Sequence, residues 1–199
     1  MKRILIGLVL ILGSISSYAQ TSEMYERRYN LVTQQLGPAG LGVETILNAW
    51  EKVDSTNLNM LLGRFRYFLA KGQSTEVVTK YEKRYLGMDP LLKLKDSLDR
   101  DVYYYQETSY DDELFGKSME PMDKAISLYP DRLDLRVLKA NVYMAYEKGS
   151  PDLTLSYLKA LADEGAARKQ DWNYEGEMKD KEFFKEAMQE YCYSLFVLA

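Results

Sequence analysis

Apolar residues recur along most of this chain at the three-and-four spacing of an amphipathic helix. Leu58, Leu61, Leu62, Phe65, Phe68 and Leu69 fall on one such face. Gly72 stands just past it, where a left-handed C-cap favours glycine. Upstream, Val43, Ile46, Leu47, Trp50 and Val53 form a second face behind the breaker LGPAG, and a further helix is predicted around 22–36. Val77, Val78, Tyr81 and Tyr85 predict a helix capped by Ser74 and stopped at Gly87. Phe115, Met119, Met122, Ile126 and Tyr129 predict another over 113–129. A kink or restart is expected there at Pro121, because a helix-interior proline costs about 3 kcal/mol.

The next two helices are the most sharply bounded. Asp131 is placed to cap a helix with Leu135, Leu138, Val142 and Ala145 on one face and Val137, Ala140 and Met144 on another. A helix apolar on two faces is predicted to lie between neighbours. After Gly149, Ser150 reads as an N-cap and Pro151 as the first helical residue of a segment carrying Leu155, Leu158, Leu161 and Ala162. The segment AARKQDWNYEGE reads as a loop, and a last helix carries Phe184, Met188, Tyr191, Leu195 and Leu198 on one stripe.

Between Asp89 and Asp112 the helical period fails. LLKLKDS alternates apolar and polar residues, LDRD is turn-like, and VYYYQE is rich in strand formers. A β-hairpin with strands near 91–97 and 101–107 is predicted, against the alternative of a helix at 97–107 that would gather Leu98, Val102 and Tyr105. In strand form Tyr103 and Tyr105 share one face, and Val102 and Tyr104 the other.

The first residues alter the compartment. Lys2 and Arg3 precede the short apolar run Ile4–Leu12, and Ser17 and Ala19 put small residues before a cut after Ala19. That is the layout of a secretory signal peptide over 1–19, leaving a single helical domain over 20–199. An exported, periplasmic protein of a Gram-negative bacterium is expected. Loss of Lys2 and Arg3 would take 26 basic and 30 acidic residues to 24 and 30, a net charge of −6. No basic cluster suits a phosphate backbone, so nucleic acid is not an expected partner. No second segment approaches membrane-spanning length, so the mature chain is not expected to insert into a membrane.

The chain has no histidine. A Ser-His-Asp triad, a Cys-His pair and an HExxH zinc site are therefore excluded within it. Two-carboxylate hydrolysis survives, since it needs only two acids in a cleft. The lone Cys192 lies in an apolar helical pattern and is expected to be buried. No metal or other cofactor is expected: Asp111, Asp112 and Glu113 lack the glycine-bearing spacing of a calcium loop and are read as capping the helix that follows.

Helix pairs recur at a period of roughly 34 residues. Ala125 and Pro130 in DKAISLYP, Ala140 and Tyr143 in KANVY, Leu62–Gly63, and Ala49 with Asp54 in AWEKVD fit the small-residue signature of the tetratricopeptide repeat. Arg136 stands where that family has its tryptophan. The chain thus resembles an exported bacterial tetratricopeptide-repeat protein, most clearly in PDRLDLRVLKANVY. The resemblance implies an all-α superhelical array of antiparallel helix pairs, an α-solenoid, with the hairpin near 91–107 as an insert. A solenoid ends on a polar cap; SLFVLA does not supply one, so a longer chain cut at Ala199 is expected.

The resemblance also implies a concave groove that binds an extended peptide. In the register set by Ala140 and Tyr143, helix residues Asp134, Val137, Asn141 and Met144 would face it. Asn141 falls where the family uses an asparagine to hold a peptide backbone. The expected function is a non-enzymatic scaffold for a protein or peptide partner. The alternatives are a glycan- or peptide-capturing module that uses Tyr103, Tyr105 and the loop residue Trp172, and a carboxylate-dependent hydrolase.

Overall fold

The computed structural model describes residues 21–198. The expected signal peptide lies outside them. The chain divides into two compact units, the first running to Gly72 and resuming at Asp111–Leu128, the second made of Gln73–Tyr110 and the chain from Tyr129 onward.

The first unit holds four helices among the described residues: α1 (21–36), α2 (Val43–Val53), α3 (Leu58–Gly72) and α4 (Asp112–Leu128). Their apolar stripes meet, burying Val43, Leu47, Trp50, Leu61, Phe65 and Met122 as the periodicity predicts, with Met60 and Tyr67 buried beside the expected α3 face. Trp50 cannot be buried with its indole N–H unpaired without penalty. Its Nε1 donates to Ser22 Oγ at 2.9 Å. Asn57 caps α3, accepting from the Met60 N–H at 3.1 Å. Asp111 caps α4 in the expected way, accepting from the Leu114 N–H at 2.9 Å. No restart occurs at Pro121: α4 is one helix, with Phe115, Met119, Met122 and Ala125 buried along its length. Burial of that stripe outweighs the local cost of the proline.

The second unit opens with a three-stranded antiparallel sheet of order β1-β3-β2, from β1 (Gln73–Lys80), β2 (Leu92–Lys95) and β3 (Asp101–Tyr110). The predicted hairpin is therefore present as β2 and β3. Its turn is set by Asp96, whose carboxylate accepts from the Leu98 and Arg100 N–H groups at 2.8 and 2.9 Å. Those bonds, with the Arg100 side chain, hold the Asp96 carboxyl below the usual range. The helix predicted after Ser74 is instead β1, paired with β3 from Gln73↔Tyr110 to Lys80↔Tyr103. Thr75, Val77, Val78 and Thr79 are β-branched, and this propensity, with a full-length partner strand, prevails over four apolar residues at helical spacing.

The rest of the second unit is α5 (Leu133–Glu147), α6 (Asp152–Ala167), a short hairpin of β4 (Trp172–Tyr174) and β5 (Glu177–Lys179), and α7 (Lys181–Leu198). The hairpin replaces the expected loop, and its Asn173 N–H donates to the Asp131 carbonyl at 2.9 Å. Asp131 thus anchors β4 through its backbone, and Arg132 takes the N-cap position expected of it. Ser150 is likewise not the cap of α6. The Glu147 carboxylate reaches forward to the Leu153 and Thr154 N–H groups at 2.5 and 2.7 Å. Cys192 is exposed, because its neighbour Tyr191 takes the inward position and the next residue points about 100° away.

These elements overturn the expected all-α superhelical array. A solenoid stacks each helix pair on the next in sequence. Here α3 hands the chain to a strand and packs against α4, which follows only after a whole sheet. The fold combines seven helices with two small antiparallel sheets among the described residues.

Two contacts in the second unit carry predictions. A Cβ at Gly165 would lie 2.2 and 2.3 Å from Phe184 ring atoms. Phe184 is stacked on Trp172 at 5.6 Å between ring centres, so making room for a methyl means giving up that stacking. Alanine should gain about 1 kcal/mol of helix propensity and lose more to overpacking, about 1–3 kcal/mol. Gly165→Ala is therefore expected to lower the urea midpoint read from Trp172 fluorescence in a Trp50→Phe background, with partial recovery in Gly165→Ala/Phe184→Leu. The second contact is the ion pair of Glu107 with Lys148, joined by the Tyr85 hydroxyl at 3.2 Å. Lys148 first, and then Tyr85 and Lys80, hold the Glu107 carboxyl below its ordinary value against the opposing effect of burial. A depressed folded value gives stability that is present at neutral pH and lost as pH falls through that value, below about 4.3. Glu107→Gln should be less stable than the parent at pH 7, and the difference should shrink as pH falls below about 4.3 in the same urea assay.

Candidate peptide-binding groove

Residues 137, 141 and 144 of α5 stand at i, i+4 and i+7 and share one face of the helix. Against that face lie Tyr174 of β4 and residues Phe183, Ala187, Glu190, Tyr191 and Ser194 of α7, enclosing a cavity of about 270 Å³. Val137, Asn141 and Met144, three of the four residues expected to face a groove, are thus brought together.

The floor is fixed by Tyr191, a buried residue that packs with Ala140 and Leu158. Its hydroxyl lies 2.9 Å from the Val137 carbonyl oxygen and 2.7 Å from Asn141 Oδ1. A phenol has one proton, so it donates to the carbonyl. Both contacts are satisfied when the Asn141 amide turns its NH2 toward the phenol oxygen. Burial, with Tyr174 nearby, pushes the Tyr191 phenol up to about 12. The proton therefore stays on oxygen through the physiological range, and the ring is locked. Tyr174 and Phe183 form the wall, their rings edge to face at 5.2 Å.

The other expected site residues are placed elsewhere. Asp134 does not line the cavity; its carboxylate is gripped by Arg132 at 2.7 and 2.6 Å at the start of α5. Tyr103 and Tyr105 are not the exposed aromatic face that a capturing module needs. They are 8% and 1% exposed, on the sheet face that also carries Val78 and Lys80. The loop after β1 folds over that face, so that the Tyr105 hydroxyl donates to the Glu82 carbonyl at 2.7 Å. Trp172 is 2% exposed, in a core cluster with Leu133, Leu161 and Phe184. Arg168 and Arg136 approach its ring to 4.0 and 5.0 Å. Along β4, Trp172 is turned into the core, with Asn173 and Tyr174 half-buried beyond it.

Phe183, Glu190 and Ser194 were not legible as site residues, whereas Tyr174 stood out beside Trp172 as an aromatic in a polar segment. The stripe on α7 that announces itself is Phe184, Met188 and Tyr191; the neighbouring stripe Phe183, Ala187, Glu190 and Ser194 is too mixed to read as a face. The double aromatic Phe183–Phe184 was the available signal, since adjacent aromatics on a helix must serve two faces.

Two other concavities differ in character. A cleft of about 480 Å³ between α6 and α7 is lined by Ala162, Gly165, Ala166, Phe184 and Met188, with Lys181 and Lys185 among its polar residues. A cleft of about 340 Å³ in the first unit gathers Glu51 and Glu120 with Arg64, Lys117 and Lys124. There Glu51 pairs with Arg64 at 2.5 Å. Among the described residues no helix is long and apolar enough to cross a membrane. Comparison of the chain with protein-family models, with curated proteins and with solved structures returned no match.

Proposed function

We propose that this chain is a non-enzymatic binding module that holds a segment of another protein in the groove between α5, β4 and α7, working in the periplasm after export. One observation carries the reading: a locked aromatic floor and wall, with hydrogen-bonding groups of Asn141 and Ser194 at the same cavity. Such a cavity suits recognition, because apolar surface supplies affinity and a few oriented polar groups supply register. The basic start at Lys2 and Arg3, the short apolar run and the small residues at Ser17 and Ala19 support export.

A photo-crosslinking amino acid in place of Met144 should capture a partner from periplasmic extract, whereas the same group in place of Val77, on the exposed sheet face, should not. Val137→Glu buries a charge in the groove and is expected to weaken capture at least about tenfold, the equivalent of 1.4 kcal/mol, with the circular dichroism spectrum unchanged. Equal capture from both positions would overturn the assignment of the groove.

A further inference from the structure

We infer that the groove seats a basic side chain of its bound segment, arginine being the best fit; the inference rests on the peptide-binding reading above and adds the chemistry of the residue recognised. Tyr174, Phe183 and Tyr191 present three aromatic rings to one cavity, and Glu190 is its charged residue. None of the nine lining residues is basic. Glu190 is exposed and has no lysine or arginine within ion-pair distance among the described residues. Ring faces are negative, so a carboxylate beside three rings defines a place for an organic cation. A bound carboxylate would meet Glu190, and Lys179, whose ammonium stands near Phe183, is already paired with Glu177 at 2.6 Å.

The second unit already uses this chemistry on its own side chains. The Lys139 ammonium stands 5.1 Å from both the Tyr143 and Tyr157 rings. Lys179 approaches Phe183, a ring of the groove itself, to 5.5 Å. Arginine suits the cavity better than lysine, because its planar guanidinium can stack on a ring while its edge forks onto a carboxylate. Asn141 adds an acceptor: with its NH2 turned to the Tyr191 oxygen, Oδ1 is left for a guanidinium N–H. Tyr191 needs no reorganisation to receive the ligand, since its two hydrogen bonds hold the ring before binding. The chain's net charge of −4 favours the approach of a cation at long range.

The test is a titration of the full chain with N-acetyl-arginine methylamide and with its neutral isostere, the citrulline derivative, followed through the ring resonances of Tyr174, Phe183 and Tyr191. Arginine is expected to shift these resonances saturably, and citrulline to bind at least about tenfold more weakly. Added salt should weaken the arginine complex. Glu190→Gln should weaken it about fivefold while leaving the amide spectrum of the fold in place, and Tyr174→Leu, at a half-buried position, should weaken it independently. Equal binding of the two probes, no shift with either, or an unchanged affinity in Glu190→Gln would overturn the inference. The probes carry no peptide chain, so they read this subsite whether or not a partner protein is captured. A captured partner that tolerates arginine-to-citrulline exchange would leave the binding function standing and remove the arginine subsite.

Discussion

The second unit depends on a missing methyl group. Because Gly165 has no side chain, Phe184 can lie directly against α6, and from there it stacks on Trp172. Trp172 in turn fixes the first position of β4, and strand alternation then places Tyr174 on the side that faces Phe183. The wall of the groove is thus set by a close approach on the far side of the same helix. Arg136 and Arg168 complete the arrangement by covering the indole while Glu164 holds the Arg136 guanidinium at 2.8 Å. Rings packed in series in this way pass the displacement of one on to the next.

Aromatic rings carry much of the polar work in this chain. Its 17 tyrosines are not a uniform filler. Lys80 lies over Tyr85, Lys93 over Tyr103, and Arg100 over Tyr81, at 4.3, 5.7 and 4.7 Å. Each ring covers the long aliphatic stem of its cation while its face balances part of the charge. In a protein without histidine, cation recognition by rings has a further property: it does not switch within the range where imidazole titrates.

The sequence was most readable where one local rule acted alone. The helices of the first unit follow from unbroken apolar stripes, and the β2–β3 hairpin follows from alternation around a turn rich in aspartate. Reading failed where tertiary partners decided. Val77, Val78, Tyr81 and Tyr85 fit a helical face, yet β3 supplies a full-length neighbour and the segment pairs with it. Ser150 has the right chemistry for a cap, but Glu147 reaches the same N–H groups from one turn earlier. The groove was half legible. Val137, Asn141 and Met144 emerged from a register argument on α5, while their partners on α7 lie on a stripe whose composition is too mixed to stand out. The solenoid expectation failed for a related reason: small residues at Ala125 and Ala140 report close helix approach, and say nothing of which helix approaches.

Gly72 and Asp111 meet through a single backbone hydrogen bond of 2.9 Å, and a Cβ on Gly72 would stand 2.8 Å from that of Leu114. The chain therefore leaves the first unit and re-enters it at nearly one point. Everything between, a complete three-stranded sheet, is an excursion whose two ends a tight turn could span, and the Glu107–Lys148 pair ties it to the chain beyond α4. The entropy of closing such an excursion grows only with the logarithm of its length. A change in the length of the excursion therefore bears little on how α3 meets α4, and its cost falls on the contacts the sheet makes with the second unit.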